Sequence, residues 1–296
     1  MLKHFRLILL LLVLVLVSGF AWVTYDQAAN LVHHPLHERQ LKDKTAQQFG
    51  LQVREVEVIN PQGMRLFGYY GVTKNGASVM LQHGFKADRS QLLEEAKILQ
   101  DAGFGVLITS VRAHDKNDGQ EITFGVREMA DLQAWYAFLL DQNGSSGKVG
   151  ILGNSMGAAM AIEYASRNPD ISAVVSVSGF SSLQDTINVS VEHFTGLPAF
   201  PFAPAIASWA EWILDMKVDQ VDATKAAAKL CQTPILVMQG GADTVVSVTS
   251  GEWIYNAACG TRELWFDEHV GHTAFDRDRP QEFAERITRF FERHLL

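Results

Sequence analysis

Eight short apolar runs constrain the fold of this chain most. They are VREVEVI (53–59), MRLFGYY (64–70), SVMLQ (78–82), GVLITS (105–110), KVGIL (148–152), SAVVSV (172–177), PILVMQ (234–239) and RELWF (262–266). Their Val, Ile and aromatic content and the turn formers around them mark strands. Asn60-Pro61-Gln62-Gly63 joins the first two, so these are expected to form an antiparallel hairpin. The later runs alternate with the helical patterns RSQLLEEAKILQDAG, FGVREMADLQAWYAFLLDQ, SMGAAMAIEYASR and PQEFAERITRFFERHL. This alternation predicts an α/β fold: a mostly parallel, twisted, eight-stranded sheet with helices on both faces. In such sheets functional groups gather beyond the carboxyl ends of the strands.

The strand ends supply the chemistry. KVGIL runs into Gly153-Asn154-Ser155-Met156-Gly157 and then a helix. G-x-S-x-G alone is weak evidence, since many such runs are plain turns. Between a strand and a helix it fits a nucleophile elbow, with glycines where backbones close in. Ser155 then sits exposed at a helix N-terminus, which favours negative charge nearby. PILVMQ ends in GGADTVVS, which puts Asp243 in a Gly-rich loop, and DEHVGHTAF after RELWF puts His272 in the next one. A serine hydroxyl needs a base, histidine is the usual one near neutral pH, and a carboxylate orients the imidazole. His269 competes with His272; Gly271 favours His272 by freeing the loop for close approach. Asp267, Glu268 and Asp276 compete with Asp243, which is favoured because it follows a different strand from His272. SVMLQ ends in His83-Gly84-Phe85, and the backbone N–H groups of Phe85 and Met156 are candidate donors to an oxyanion.

With these positions in hand the sequence resembles the alpha/beta-hydrolase family over about residues 50–296. GNSMG, QHGF, SVRAHDKNDG followed by TFGVREMADLQAWYAFL, QGGADTVV and VGHTAF carry the resemblance. It is closest in character to a membrane-anchored, serine-peptidase or esterase-like branch with a small cap. The resemblance implies a Ser155–His272–Asp243 triad, an oxyanion hole from Phe85 and Met156, and neither metal nor organic cofactor. It implies a small-molecule acyl substrate, a carboxylic ester first, with thioester or peptide as alternatives. A non-catalytic binding or scaffold protein on the same fold is the reading from another class. One departure is Arg112-Ala113-His114-Asp115-Lys116, where many relatives carry an R-G-H-G-x-S type loop; this puts the local loop shape in question.

From about residue 180 to 230 the strand pattern stops. Phe194, Phe200, Phe202, Trp209 and Trp212 make this stretch aromatic, and Pro198, Pro201 and Pro204 break it up. It is expected to be a helical cap lining an apolar acyl pocket, with Phe200 and Trp209 as lining residues. The bland alternative is a helical insertion whose aromatics pack on the core.

At the N-terminus, Leu7–Val23 is uncharged and apolar, near the short end of the ~17–25 residues that span a bilayer. Lys3 and Arg6 precede it, which keeps the N-terminus in the cytoplasm and exports the rest. Residues 1–25 are therefore expected to be an anchor that contacts the membrane. A cleaved signal peptide, with Gly19-Phe20-Ala21 at the cleavage site and a secreted or periplasmic product, is the alternative. Residues 26–50 are polar and rich in histidine and are expected to be a solvated tether or a lead-in helix. Pro35 interrupts any ligand spacing among His33, His34 and His37. The net charge of -8 argues against nucleic acid as a partner. Cys231 and Cys259 fit no metal spacing and are expected to be two separate buried thiols, with pairing in an oxidising compartment as the alternative.

Overall fold

The computed structural model describes residues 2–39, 45–143 and 147–296. The strands are β1 (Arg54–Ile59), β2 (Arg65–Gly71), β3 (Ser78–Gln82), β4 (Gly105–Thr109), β5 (Val149–Asn154), β6 (Ile171–Val177), β7 (Ile235–Gly240) and β8 (Arg262–Asp267). They form one sheet in the order β1-β2-β4-β3-β5-β6-β7-β8. β2 is antiparallel to both of its neighbours and every other pairing is parallel. The helices are α1 (Leu2–Val32), α2 (Leu93–Asp101), α3 (Glu128–Asn143), α4 (Met156–Arg167), α5 (Leu183–Thr195), α6 (Ala199–Leu214), α7 (Ala223–Ala227), α8 (Ser250–Ala257), α9 (Phe275–Asp278) and α10 (Pro280–Leu295). This is the expected α/β architecture.

Alternation along the strands makes two cores. In β5, Val149 and Ile151 face one core with α3 and α4, and Leu152 faces the other with α2 and α10. Gly150 lies on the α10 side because a Cβ there would fall 2.6 Å from the Phe291 ring. α10 carries Phe283, Ile287, Phe290 and Phe291 at helical spacing on its buried face. The helix expected from residue 124 begins at Glu128 instead. The Glu128 carboxylate accepts from the backbone N–H groups of Thr123 and Gly125, which holds the preceding residues as a loop.

Two expectations are corrected. Of the two readings of residues 26–39, the lead-in helix holds as far as Val32 and the solvated tether does not. α1 continues to Val32, and Thr24, Ala28 and Val32, four residues apart, form a stripe buried against the domain. Backbone bonds from His34 to Gln120 (2.8 Å) and from Ile122 to Val32 (2.8 Å) fasten its end. The Arg39 guanidinium donates to the carbonyls of Asn117 and Gly119. The polar composition hides this stripe of small and apolar groups. Residues 40–44, within the same expected tether, lie outside the described residues. The cysteines are likewise not separate thiols: Cys231 and Cys259 are disulfide-bonded, with Cα atoms 4.8 Å apart. The chain after α7 meets the α8–β8 connection there, where the Gly260 N–H donates to the Leu230 carbonyl at 3.1 Å. That meeting is tertiary and leaves no local trace in the sequence.

Candidate active site

At the end of β5 the chain turns sharply into α4. Ser155 has φ 54° and ψ −115°, a left-handed conformation that is costly for a residue with a side chain. The two glycines make the turn possible. A Cβ on Gly157 would lie 2.2 Å from the Gln82 carbonyl oxygen, and one on Gly153 would lie 2.1 Å from the Gly157 carbonyl oxygen. The strand-to-helix context predicted an elbow, and the backbone has that form.

Ser155, His272 and Asp243 come together at the carboxyl edge of the sheet. His272 Nε2 is 2.9 Å from Ser155 Oγ, and His272 Nδ1 is 2.7 Å from Asp243 Oδ2. Asp243 is buried. Its Oδ1 accepts from the N–H groups of Val245 and Val246, each at 2.9 Å, and Oδ2 also accepts from Gln239 Nε2 at 3.3 Å. With Oδ1 held by two backbone donors, Oδ2 is directed at the imidazole. The competitors lie elsewhere: His269 is exposed and pairs with Glu268 at 3.3 Å, while Asp267 pairs with Arg279 at 2.7 Å.

The glycine that brings the aspartate and histidine loops together differs from the expected one. A Cβ on Gly271 would meet nothing within 4 Å, so Gly271 does not set the approach. Gly240 does, since a Cβ there would lie 2.1 Å from the Val270 carbonyl oxygen. The His272 loop is further fixed by Thr273, whose N–H donates to Ser178 Oγ at 3.0 Å.

Phe85 and Met156 lie beside Ser155. Met156 is the first residue of α4, so its N–H has no intrahelical acceptor. On either side of Phe85 the donors are engaged: the Gly84 N–H with Gln91 Oε1 at 2.7 Å, and the Lys86 N–H with His114 Nε2 at 3.0 Å. These bonds fix the loop around the Phe85 N–H. His114 is buried and its Nδ1–H donates to the Arg112 carbonyl at 2.8 Å. It makes edge-to-face contacts with His34, just past the end of α1, and with His83, ring centroids 5.1 and 4.9 Å away. Burial first, and then the charge of neighbouring His83, holds the His114 imidazole well below its ordinary pKa, so it stays a neutral acceptor.

The RAHDK loop keeps a glycine-like path despite its sequence. Ala113 (φ 58°) and Asp115 (φ 50°), where the R-G-H-G type loop has glycines, are both left-handed. Buried bonds hold them there: Arg112 is bidentate to Asp131 at 2.6 and 2.7 Å, and Arg89 Nε pairs with Asp115 at 2.7 Å. The roles of Gln91 and Gln239 carry no motif of their own in the sequence, and the contacts of His34 with His114 join segments far apart in it.

An apolar cavity of about 330 Å³ opens from Ser155 and His272. Ile187, Val191 and Phe194 of α5 and Ile206 of α6 line it, together with Gln27, Asn30 and Leu31 of α1. The expected cap thus contributes, but through different aromatics. Phe200 is 81% exposed and Trp209 packs on α1, its ring centroid 5.5 Å from that of Tyr25, so neither lines the cavity. Phe200 precedes Pro201, which favours extended backbone (φ −102°, ψ 131°) and turns its side chain away from the α5–α6 contact.

Comparison with known proteins agrees with this fold. Residues 77–205 match the family model described as the alpha/beta hydrolase fold. The chain is similar to the uncharacterized protein Rv2307c of Mycobacterium tuberculosis, with 29% identity over 223 residues, covering 74% of this chain and 72% of that one. Among solved structures it is similar to the Pyrococcus furiosus esterase Pf2001, with a TM-score of 0.76 and 23% identity, covering 90% of this chain and 99% of that one. It is also similar to a membrane phospholipase A described as a bacterial virulence factor, with a TM-score of 0.63 and 18% identity over 98% of each chain.

Proposed function

This chain has the alpha/beta-hydrolase fold, and on that premise we propose that it is a serine hydrolase that cleaves a carboxylic ester through an acyl-enzyme. The observation that carries the reading is the hydrogen-bonded line from Ser155 Oγ through His272 to Asp243. His272 Nε2 takes the Ser155 proton as Oγ attacks the acyl carbonyl. Asp243 accepts from Nδ1–H and stabilises the imidazolium that forms. The negative charge on the carbonyl oxygen is met by the N–H groups of Phe85 and Met156. His272 then returns the proton to the leaving alcohol, and the C–O bond to it breaks. Water attacks the acyl-enzyme with the same histidine as base, releasing the acid and restoring Ser155. No step calls for a metal or organic cofactor.

The ester is placed ahead of thioester or peptide because the cavity beyond Ser155 is apolar and suits an acyl chain. The chain is further read as a single-pass membrane protein with its N-terminus in the cytoplasm and its catalytic domain outside. The long exposed apolar part of α1 after Lys3 and Arg6 supports this. The Cys231–Cys259 bond, of a kind that persists in oxidising compartments, supports it as well. Fluorophosphonate labelling is the test. The purified protein should be labelled and the Ser155→Ala variant should not. Failure of the wild type to react or to hydrolyse nitrophenyl esters would favour the scaffold reading.

A further inference from the structure

The anchor helix does more than hold the domain at a membrane. α1 has 31 residues, about 46 Å at about 1.5 Å per residue, and a hydrocarbon core is only about 30 Å thick. The uncharged stretch Leu7–Val23 accounts for about 25 Å of that length, close to the hydrocarbon thickness. Around the end of this stretch the helix meets α6 through aromatic pairs, one of them a Tyr–Trp pair of the kind enriched at membrane interfaces. Phe20 packs on Phe202 with ring centroids 5.1 Å apart and Tyr25 on Trp209 at 5.5 Å, while Trp209 Nε1 donates to Thr24 Oγ1 at 3.1 Å. These contacts put the bilayer boundary near residues 20–25. Gln27, Asn30 and Leu31 follow about 6–12 Å beyond Val23 along the helix, the depth of about one to two headgroup layers. These three residues line the cavity that ends at Ser155. The same segment is tied to the loop beside Ser155, since Lys86 Nζ donates to the Asn30 carbonyl at 2.8 Å.

The cap and the anchor also leave large aromatics in water. Phe200 and Trp212 of α6 are 81% and 69% exposed, and Trp22 of α1 is 70% exposed. Three large aromatics left in water by a helix pair that adjoins a spanning segment fit an interface with lipid headgroups and upper acyl chains.

Resting on the serine-hydrolase reading above, we propose that α1 is a wall of the acyl pocket and that the substrate is the acyl ester of a membrane lipid. One tail of that lipid passes from the bilayer surface along α1 into the cavity. At about 330 Å³ the cavity is near the lower end of the ~300–1,000 Å³ typical of small-ligand sites. It therefore takes one tail and leaves the polar remainder of the lipid at the mouth. The apolar wall binds the tail, and the backbone donors at Ser155 take its carbonyl.

The experiment uses the full chain reconstituted in phosphatidylcholine vesicles. It compares kcat/KM on palmitoyl-lysophosphatidylcholine in the vesicle with kcat/KM on nitrophenyl butyrate in water. Leu31→Trp, which fills the wall, should lower the ratio of long-chain to short-chain kcat/KM at least tenfold. Leu31→Ala, which deepens it, should shift the preferred acyl length upward in a series of nitrophenyl esters. Phe200→Ser combined with Trp212→Ser should lower the ratio of vesicle-borne to water-borne rates at least fivefold. Wild-type ratios in all three variants, with Ser155 still labelled by a fluorophosphonate, would overturn the proposal and leave the serine-hydrolase reading standing. Absence of labelling in the wild type would instead remove that reading itself. Hydrolysis of the water-soluble ester with no cleavage of the vesicle lipid by the wild type would overturn the lipid substrate.

Discussion

Asn154, the residue before Ser155, donates from Nδ2 to Oε1 of the fully buried Glu95 at 2.9 Å. A carboxyl group thus stands directly beneath the elbow. Burial, then the nearby charge of Asp276, raises its pKa to about 8, so it is neutral at pH 7. The folded value exceeds the unfolded one, so the stability it contributes is present below about pH 4.5 and is lost as pH rises through about 8. Above about pH 6.5, where the buried histidines are neutral in both states, wild-type Tm should fall toward pH 9, with an unfolding free energy lower by about 2 kcal/mol. Glu95→Gln keeps the acceptor for Asn154 and removes the charge, so its Tm should be flatter over that range. Asp276, itself raised by burial, retains part of the slope. Thermal denaturation across pH decides, and equal slopes in both proteins would remove Glu95 from this role.

If Ser155, His272 and Asp243 act as one unit, Ser155→Ala and His272→Ala should each lower kcat on activated esters by about 10³-fold or more. Asp243→Asn should be severely impaired, because the imidazole loses its orienting acceptor. His269→Ala, at an exposed site paired only with Glu268, should stay near wild type. An inactive His269→Ala with an active His272→Ala would move the base to the other histidine. All four variants should retain the wild-type circular dichroism spectrum.

The sheet was legible because each strand is a short apolar run and strand faces alternate with period two, a local signal. The elbow was legible because a close backbone approach demands glycine at Gly153 and Gly157. What escaped was set by tertiary contact. Which cap aromatics reach the cavity depends on how α5 and α6 sit against α1, so Phe194, 65% exposed but bordering the cavity, could not be told from Phe200. The stripe Thr24, Ala28, Val32 reads as unremarkable among polar residues until α1 lies on the domain. Gly240, and not Gly271, brings the aspartate and histidine loops together, and only the register of β7 beside the Val270 carbonyl reveals it.

The cavity walls make chain length the informative substrate variable. Each methylene buried there should gain up to about 0.8 kcal/mol, close to fourfold in kcat/KM. Phe194→Ala and Ile206→Ala should flatten this dependence over acyl lengths of two to eight carbons. Phe200→Ala, whose side chain points to solvent, should leave the slope for water-soluble esters near that of the wild type. A steeper loss in Phe200→Ala than in Phe194→Ala would show that the cap closes differently in solution.

The Cys231–Cys259 bond closes a loop of 28 residues on the side of the sheet that bears α7 and α8. In the chain-entropy picture such a loop contributes roughly 3–4 kcal/mol. Cys231→Ser should therefore lower the unfolding free energy by up to about that amount. Its kinetic constants on esters should change little, since neither cysteine lines the cavity. Thiol titration of denatured, unreduced protein purified from the exported fraction should find no free thiol, and two after reduction. Two free thiols before reduction would show that the bond does not form.

The acid limb should report on the histidine cluster. His114 accepts the Lys86 N–H through Nε2, so a proton there breaks the bond that fixes the loop around Phe85. His34 is also lowered, mainly by burial and then by Lys86 and Arg39, so two imidazoles in edge-to-face contact are neutral in the folded chain. With folded values below the unfolded one, the unfolded chain binds more protons in the acid range. Stability should therefore decline as pH falls below about 6.5, and continue to decline until the folded-state groups titrate. His114→Gln offers an amide oxygen to the same donor and does not titrate, so its Tm should fall less between pH 7 and pH 5 than that of the wild type. His114→Ala leaves the Lys86 N–H without its acceptor and should lower kcat at pH 7, where protonation plays no part. If His114→Gln loses stability in acid as steeply as the wild type, the limb belongs to other groups and His114 serves only to position the loop.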